Sequence, residues 1–350
     1  MKRLAIGLLA GVALSACGGG GEQASGGGDA RVRGVVLVDG SSTVFPISEA
    51  LGEEFQGATG ARVTVGLSGT GGGFRKFCRG EIDVAGASRP IEQDEMELCR
   101  ANGVEFVELP VALDGLAVVV HPQNTWADCM SVAELRAVWS PEAQGRVETW
   151  SQVRPGFPAR PLRLFGAGTD SGTFDYFTAA VTGEEGASRG DYTATEDDNI
   201  TVTGVRGDPG GLGYMGLAYL QENAGAVRAV PIRAPDGRCV APTPETVRSG
   251  AYQPLSRPLF YYVNRGRADR SPQVQAFIRF AFDAVRAGPL VSEVGYVPLP
   301  DRLYALAARK FEVRRTGTSF GGEARVGATL AEIEADASPE APAAAPAPAN

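Results

Sequence analysis

One histidine in 350 residues leaves little room for imidazole chemistry. His121 is followed by Pro122 and shares no motif with a serine or cysteine nucleophile, so a Ser-His-Asp constellation has no support. No cysteine pair has the C-x-x-C spacing of a zinc site, and no metal is expected. An excess of positive charge is missing too: the formal net charge is −8, which argues against a nucleic-acid partner. Beyond residue 16 there is no long apolar run, and the rest reads as a globular body. At about 290 residues that body can hold two lobes with their own cores. Cofactor and nucleophile motifs are absent as well. The stretch 66–76 lacks the G-K-[ST] ending of a P-loop, and Gly66-Leu67-Ser68-Gly69-Thr70 lacks the second glycine of a G-x-S-x-G elbow. No cofactor and no enzyme activity are expected.

What is present begins with a basic start, Met1-Lys2-Arg3, and an apolar stretch over 4–16 that is too short to span a bilayer. Leu14-Ser15-Ala16-Cys17 resembles a bacterial lipobox. That resemblance implies a signal peptide over 1–16, cleavage before Cys17 and acylation of Cys17, with several acyl chains giving a stable membrane anchor. The alternative is an ordinary secretory peptide with an incidental cysteine. Glycine-rich residues follow, and 17–31 reads as a flexible tether. Without Cys17, four cysteines remain, which allow three connectivities. The favoured pairs are Cys78–Cys99, close in sequence, and Cys129–Cys239, both within one later lobe; free buried thiols are the competing reading. The end of the chain, 323–350, is rich in Ala and Pro and is expected to be disordered.

Between tether and tail, strand-like and helix-like segments alternate. Residues 32–38 read as a strand and 45–56 as a helix with Pro46 in its first turn; 62–67, 82–87 and 104–113 read as further strands. This alternation predicts a parallel, helix-covered sheet. Residues 115–121 open a second lobe, in which Ser131 to Glu134 forms a capping box and 210–216 makes a glycine-rich approach to a helix. Residues 258–263 and one long helix over 271–287 return to the first lobe. Two crossings imply a hinge and a cleft.

Three clusters rich in Ser, Thr and Gly stand where a strand feeds a helix: 40–46, 68–73 and 169–173. Each offers backbone N–H groups, hydroxyls and the positive end of a helix dipole, which suit an oxyanion. A single glycine cluster is most often just a tight turn. Three of them with the same hydroxyl content point to one tetrahedral anion.

The segments DGSSTVFPISEALGEEF, GLSGTGGGFRKFCRGEIDVAGASRPI, GTDSGTFDYF and GDPGGLGYMGLAYL resemble, in order, the phosphate-binding proteins of Pst-type ABC transporters, over most of 32–298. The resemblance implies an α/β fold of the type II periplasmic binding protein class, with two α/β lobes, a hinge and a ligand cleft. Lobe I would comprise 32–113 plus 257–322, and lobe II 114–256. It also implies a monomer that binds inorganic phosphate outside the cytoplasmic membrane and delivers it to permease subunits with a cytoplasmic ATPase. Another oxyanion (sulfate, molybdate, arsenate) and a secreted phosphatase are the alternatives. Carried over by position, the ligand residues are Ser42, Thr43, Val44 and Phe45, then Ser68 and Thr70, then Ser171, Gly172 and Thr173. Two departures stand out. Ser88 replaces an Asp of the better-known branch, and Ala167 replaces an Arg. Arg89 and Asp170 are the expected compensations, Asp170 accepting the proton of phosphate and Arg89 donating to the ligand or holding Asp170.

Overall fold

The computed structural model describes residues 32–337 apart from 170, 196, 319 and 323–329. Its first part runs β1 (Val35–Gly40), α1 (Phe45–Thr59), β2 (Arg62–Val65), α2 (Thr70–Cys78), β3 (Val84–Ala87), α3 (Gln93–Ala101) and β4 (Phe106–Val120). The middle part comprises α4 (Val132–Trp139), α5 (Trp150–Val153), β5 (Arg163–Ala167), α6 (Gly172–Thr182), β6 (Thr193–Thr195), α7 (Asp198–Gly207), β7 (Gly211–Gly216) and α8 (Leu217–Glu222). Then come β8 (Arg228–Ala229), β9 (Ile232–Arg233), β10 (Cys239–Val240), α9 (Pro244–Arg248) and β11 (Ser256–Asn264). The chain closes with α10 (Arg265–Arg270), α11 (Pro272–Ala281), α12 (Ala284–Glu293), α13 (Asp301–Glu312) and α14 (Leu330–Ala337).

Nine of the strands form one mixed sheet in the order β2-β1-β3-β11-β4-β7-β5-β6, with β8 beside β4, and β9 and β10 form a separate antiparallel pair. The expected parallel pairing holds for β1 with β2 and β3, and for β5 with β6 and β7. At the centre it does not: β11 is antiparallel to both β3 and β4, and β4 is antiparallel to β7. The reason is topological. β4 carries the chain out of the first half and β11 brings it back, so the two must run in opposite senses. β4 is a single buried strand where two separate segments were expected. Its residues up to Gly115 pair with β11, and those from Leu116 onward pair with β7.

The glycine-rich 210–216 stretch leads into a helix, α8, as expected, and does so as strand β7, whose glycines admit close neighbours: a Cβ on Gly213 would lie 2.9 Å from Val205 Cγ2 and 3.0 Å from the Phe165 carbonyl oxygen. Two further expectations are corrected. The single helix over 271–287 is two, because the Asp283 side chain accepts from Val285 N–H at 3.0 Å and starts a new helix. Within 323–350, expected to be disordered, Leu330–Ala337 is helical and buries Ile333. Cys17 and the signal segment lie outside the described residues.

A continuous apolar core runs under both halves of the sheet. In the second half Phe177 stacks on Tyr214 with ring centroids 3.7 Å apart, and buried Trp139 packs edge-on against both. Disulfides join Cys78 to Cys99, tying α2 to α3, and Cys129 to Cys239. No helix among the described residues is long and apolar enough to cross a membrane.

Candidate functional site

The parallel strands β1 and β3 run their carboxyl ends toward the N-terminus of α2, and a cavity of about 300 Å³ opens there. This is where open α/β sheets bind ligands. From the first half the lining includes Ser41, Ser42, Ser68, Thr70, Ser88 and Arg89; from the second it includes Gly172, Asp175, Tyr176 and Glu185. The first N–H groups of α2, on Thr70, Gly71 and Gly72, have no acceptor inside their helix and border the same space. The loop 41–45 and the start of α6 meet closely. A Cβ on Gly172 would lie 2.0 Å from Thr43 Oγ1 and 3.0 Å from Ser42 Oγ, so only glycine permits this approach.

The cation at the centre is Arg257, the second residue of β11. It is 6% exposed and donates from Nε to Asp114 Oδ2 at 3.1 Å. Its Nη1 donates to the Ser88 carbonyl at 3.2 Å; its Nη2 donates to Thr43 Oγ1 at 3.1 Å and to the Gly172 carbonyl at 2.9 Å. The guanidinium lies over the ring of Tyr176 at 4.3 Å, and the Tyr176 hydroxyl donates to the Pro254 and Ser256 carbonyls. Burial holds the Tyr176 phenol well above its usual pKa, so it remains a neutral donor. One side chain thus ties together the end of β3, the middle of β4, the start of β11, the 41–45 loop and the α6 N-terminus.

Of the residues expected from sequence, Ser42, Ser68, Thr70, Ser88, Arg89 and Gly172 line the cavity. Thr43, Val44, Phe45, Ser171 and Thr173 do not. The N–H groups of Thr43, Val44 and Phe45 turn onto Ser41, the first to its Oγ at 3.2 Å and the others to its carbonyl. Ser171 caps α6 by accepting from Thr173 N–H at 3.1 Å. Arg89 is held within its own half. It makes a two-pronged pair with Glu95, both bonds at 2.9 Å, and approaches Glu92 at 3.3 Å. Asp170 lies outside the described residues.

Sequence reasoning missed Ser41, Arg75, Asp175, Tyr176, Glu185 and above all Arg257. One signal was available: Ser88-Arg89-Pro90 recurs as Ser256-Arg257-Pro258. The antiparallel pairing of Phe260 with Ala87 sets the two tripeptides side by side at the cavity. His121 does not line the cavity, and its Nδ1 accepts from Gln123 N–H at 3.0 Å. The described residues contain no cluster of His, Cys, Asp and Glu able to hold a metal.

The chain matches the PBP superfamily domain over residues 25–285. It is 46% identical over 302 residues to Protein SphX of Synechococcus elongatus, covering 86% of this chain and 88% of that protein. It is 34% identical to the phosphate-binding protein PstS of Staphylococcus saprophyticus, covering 85% and 90% respectively. A crystal structure of a possible phosphate-binding protein from Planctomyces limnophilus superposes with a TM-score of 0.72 at 48% identity, covering 81% of this chain and 99% of that one. A putative phosphate ABC transporter substrate-binding protein from Clostridium perfringens, at 22% identity and a TM-score of 0.57, shares the fold. The chain therefore belongs to the PBP superfamily, among the relatives of SphX and PstS.

Proposed function

We propose that this chain binds inorganic phosphate outside the cytoplasmic membrane and delivers it to an ABC permease. The observation that carries the reading is the convergence on one small cavity of the α2 N-terminus, five hydroxyl side chains and the Arg257 guanidinium. In a chain of net charge −8 an anion must be attracted locally, by oriented dipoles and a few cations, and this is such a site. The names of the relatives agree with it. Ser41, Ser42, Thr70 and Ser88 supply hydroxyls and Arg257 supplies positive charge, while Gly172 brings the second half of the molecule against the first.

In this reading the halves that β4 and β11 connect are two lobes, 32–113 plus 257–322 and 114–256, with the anion held between them. Closure of these lobes over the anion would present the surface that the permease reads. Acylated Cys17 and the tether over 17–31 would hold the monomer at the membrane.

Equilibrium dialysis against labelled phosphate tests the reading, paired with incubation on a chromogenic phosphate ester. Retained phosphate with no released chromophore is expected. Steady ester hydrolysis would make the protein a phosphatase, and no retained phosphate would end the proposal.

A further inference from the structure

The hydroxyls around the cavity differ in where their protons go. Ser41 Oγ accepts from Thr43 N–H at 3.2 Å, which leaves its own proton available to a ligand. Thr43, which does not line the cavity, accepts at Oγ1 from Arg257 Nη2 at 3.1 Å. Thr70 and Ser88 share a hydrogen bond at 3.0 Å, and Thr70 Oγ1 also accepts from Ser88 N–H at 3.3 Å. A hydroxyl carries one proton and two lone pairs, so the Thr70–Ser88 pair spends one proton internally and keeps one to give.

Ser68 is arranged in the opposite sense. Its Oγ donates to Asp39 Oδ1 at 2.6 Å, while the other carboxylate oxygen, Oδ2, takes Lys76 Nζ at 2.5 Å. Asp39 is 7% exposed. Burial pushes its carboxyl up, but the bonds from Lys76 and Ser68 outweigh burial and hold it below the usual carboxylate range. At neutral pH Asp39 is therefore a pure acceptor, and the Ser68 proton is committed to it. What Ser68 can offer the cavity it lines is lone pairs alone.

We propose that Ser68, its proton fixed by Asp39, accepts the hydrogen bond of the ligand's own P–OH group and so selects protonated phosphate over sulfate. This rests on the phosphate reading above and deepens it. Phosphate near pH 7 keeps at least one proton, which a lone pair can receive; sulfate keeps none and meets the same lone pair as a repulsion. The relay runs Lys76, Asp39, Ser68, ligand. It assigns the acceptor role to a buried carboxylate acting through a hydroxyl.

The test uses Asp39→Asn and Ser68→Ala on the full chain, titrated with phosphate and with sulfate at neutral pH. In Asp39→Asn the amide oxygen stays with Lys76 and the amide nitrogen faces Ser68. The serine then accepts from Asn and turns its proton to the cavity. Phosphate affinity should fall and sulfate affinity rise, shrinking the phosphate-to-sulfate ratio by about tenfold or more, the scale of one charge-assisted hydrogen bond. Ser68→Ala should shrink the ratio through phosphate alone, and it leaves the Asp39–Lys76 pair intact should Asp39→Asn fold poorly. In the double variant the two effects should not add, because they act through one hydroxyl. A ratio unchanged in both single variants, in a wild type that binds phosphate, overturns the relay and leaves the phosphate reading standing. A ratio lost in Asp170→Asn but kept in Ser68→Ala would overturn it in favour of Asp170. A wild type that binds no phosphate would refute the reading on which the relay rests.

Discussion

Replacing Arg257 by Lys should weaken phosphate binding without unfolding the protein. The arginine makes four hydrogen bonds from three nitrogens, to Asp114, the Ser88 carbonyl, Thr43 and the Gly172 carbonyl. A lysine ammonium keeps the charge but has neither the reach nor the planar fork to serve all four. Asp114 is the partner it will keep, because both groups are buried and an unpaired carboxylate there would cost about 3–5 kcal/mol. The two bonds from Nη2 are the ones it gives up, and Gly172 is the contact that joins α6 to the rest of the site. Each charge-assisted bond contributes about 1.5–3 kcal/mol, and water replaces part of that, so a net loss of about 2–4 kcal/mol is expected. This corresponds to a dissociation constant raised by roughly 30- to 1,000-fold. Calorimetric titration with phosphate measures it, and thermal unfolding without ligand checks that the fold survives. Binding within about threefold of wild type would mean that Arg257 only braces the sheet. Arg257→Ala is the less informative change, since it strands Asp114 and confuses stability with affinity.

Cys17→Ser should abolish acylation; equal incorporation of labelled fatty acid by wild type and variant would refute the anchor. Mapping of unreduced peptides should recover Cys78 linked to Cys99 and Cys129 linked to Cys239. Loops of 21 and 110 residues predict that reduction lowers stability by about 3 and about 5 kcal/mol, and an unchanged melting temperature after full reduction would contradict this. Glu134 gives a pH signature: burial raises its pKa, but bonds from Arg154 and Ser131 lower it further, to about 2 from 4.5. A depressed acid contributes stability above its unfolded pKa, so this contribution should be complete above about pH 5 and should fade as pH drops toward 2. Glu134→Gln should flatten that part of the stability curve by on the order of 2 kcal/mol, allowing for partial exposure; an identical acid limb in wild type and variant would count against the pair.

How much of this was legible in the sequence depends on how local each signal is. The clusters at 40–46 and 68–73 could be read directly, because hydroxyls, glycines and a helix start lie within seven residues of one another. Pro46 near the start of α1 and the Ser131–Glu134 capping box are equally local, and both stand where expected. Arg257 was not legible in this way. It is 168 residues after Arg89 in the chain, and only the antiparallel return of β11 beside β3 makes the two neighbours. Local pattern also cannot say that Arg89, in the cavity lining, will be paired with Glu95, six residues on. The same limit explains β4. Two apolar segments around Gly115 read as the end of one lobe and the start of the next, whereas pairing with β11 on one side and β7 on the other holds them in one strand. The orientation of the Ser68 proton is a still finer feature, since it needs the position of Asp39 29 residues earlier.

The measurement closest to the central claim is a calorimetric titration of refolded, phosphate-stripped protein with phosphate, sulfate and molybdate at neutral pH. One phosphate per chain should bind in the micromolar range or tighter, with sulfate and molybdate weaker by about tenfold or more, as expected when one added charge-assisted hydrogen bond separates the ligands. Sulfate or molybdate binding as tightly as phosphate, or no heat with phosphate at all, would contradict it.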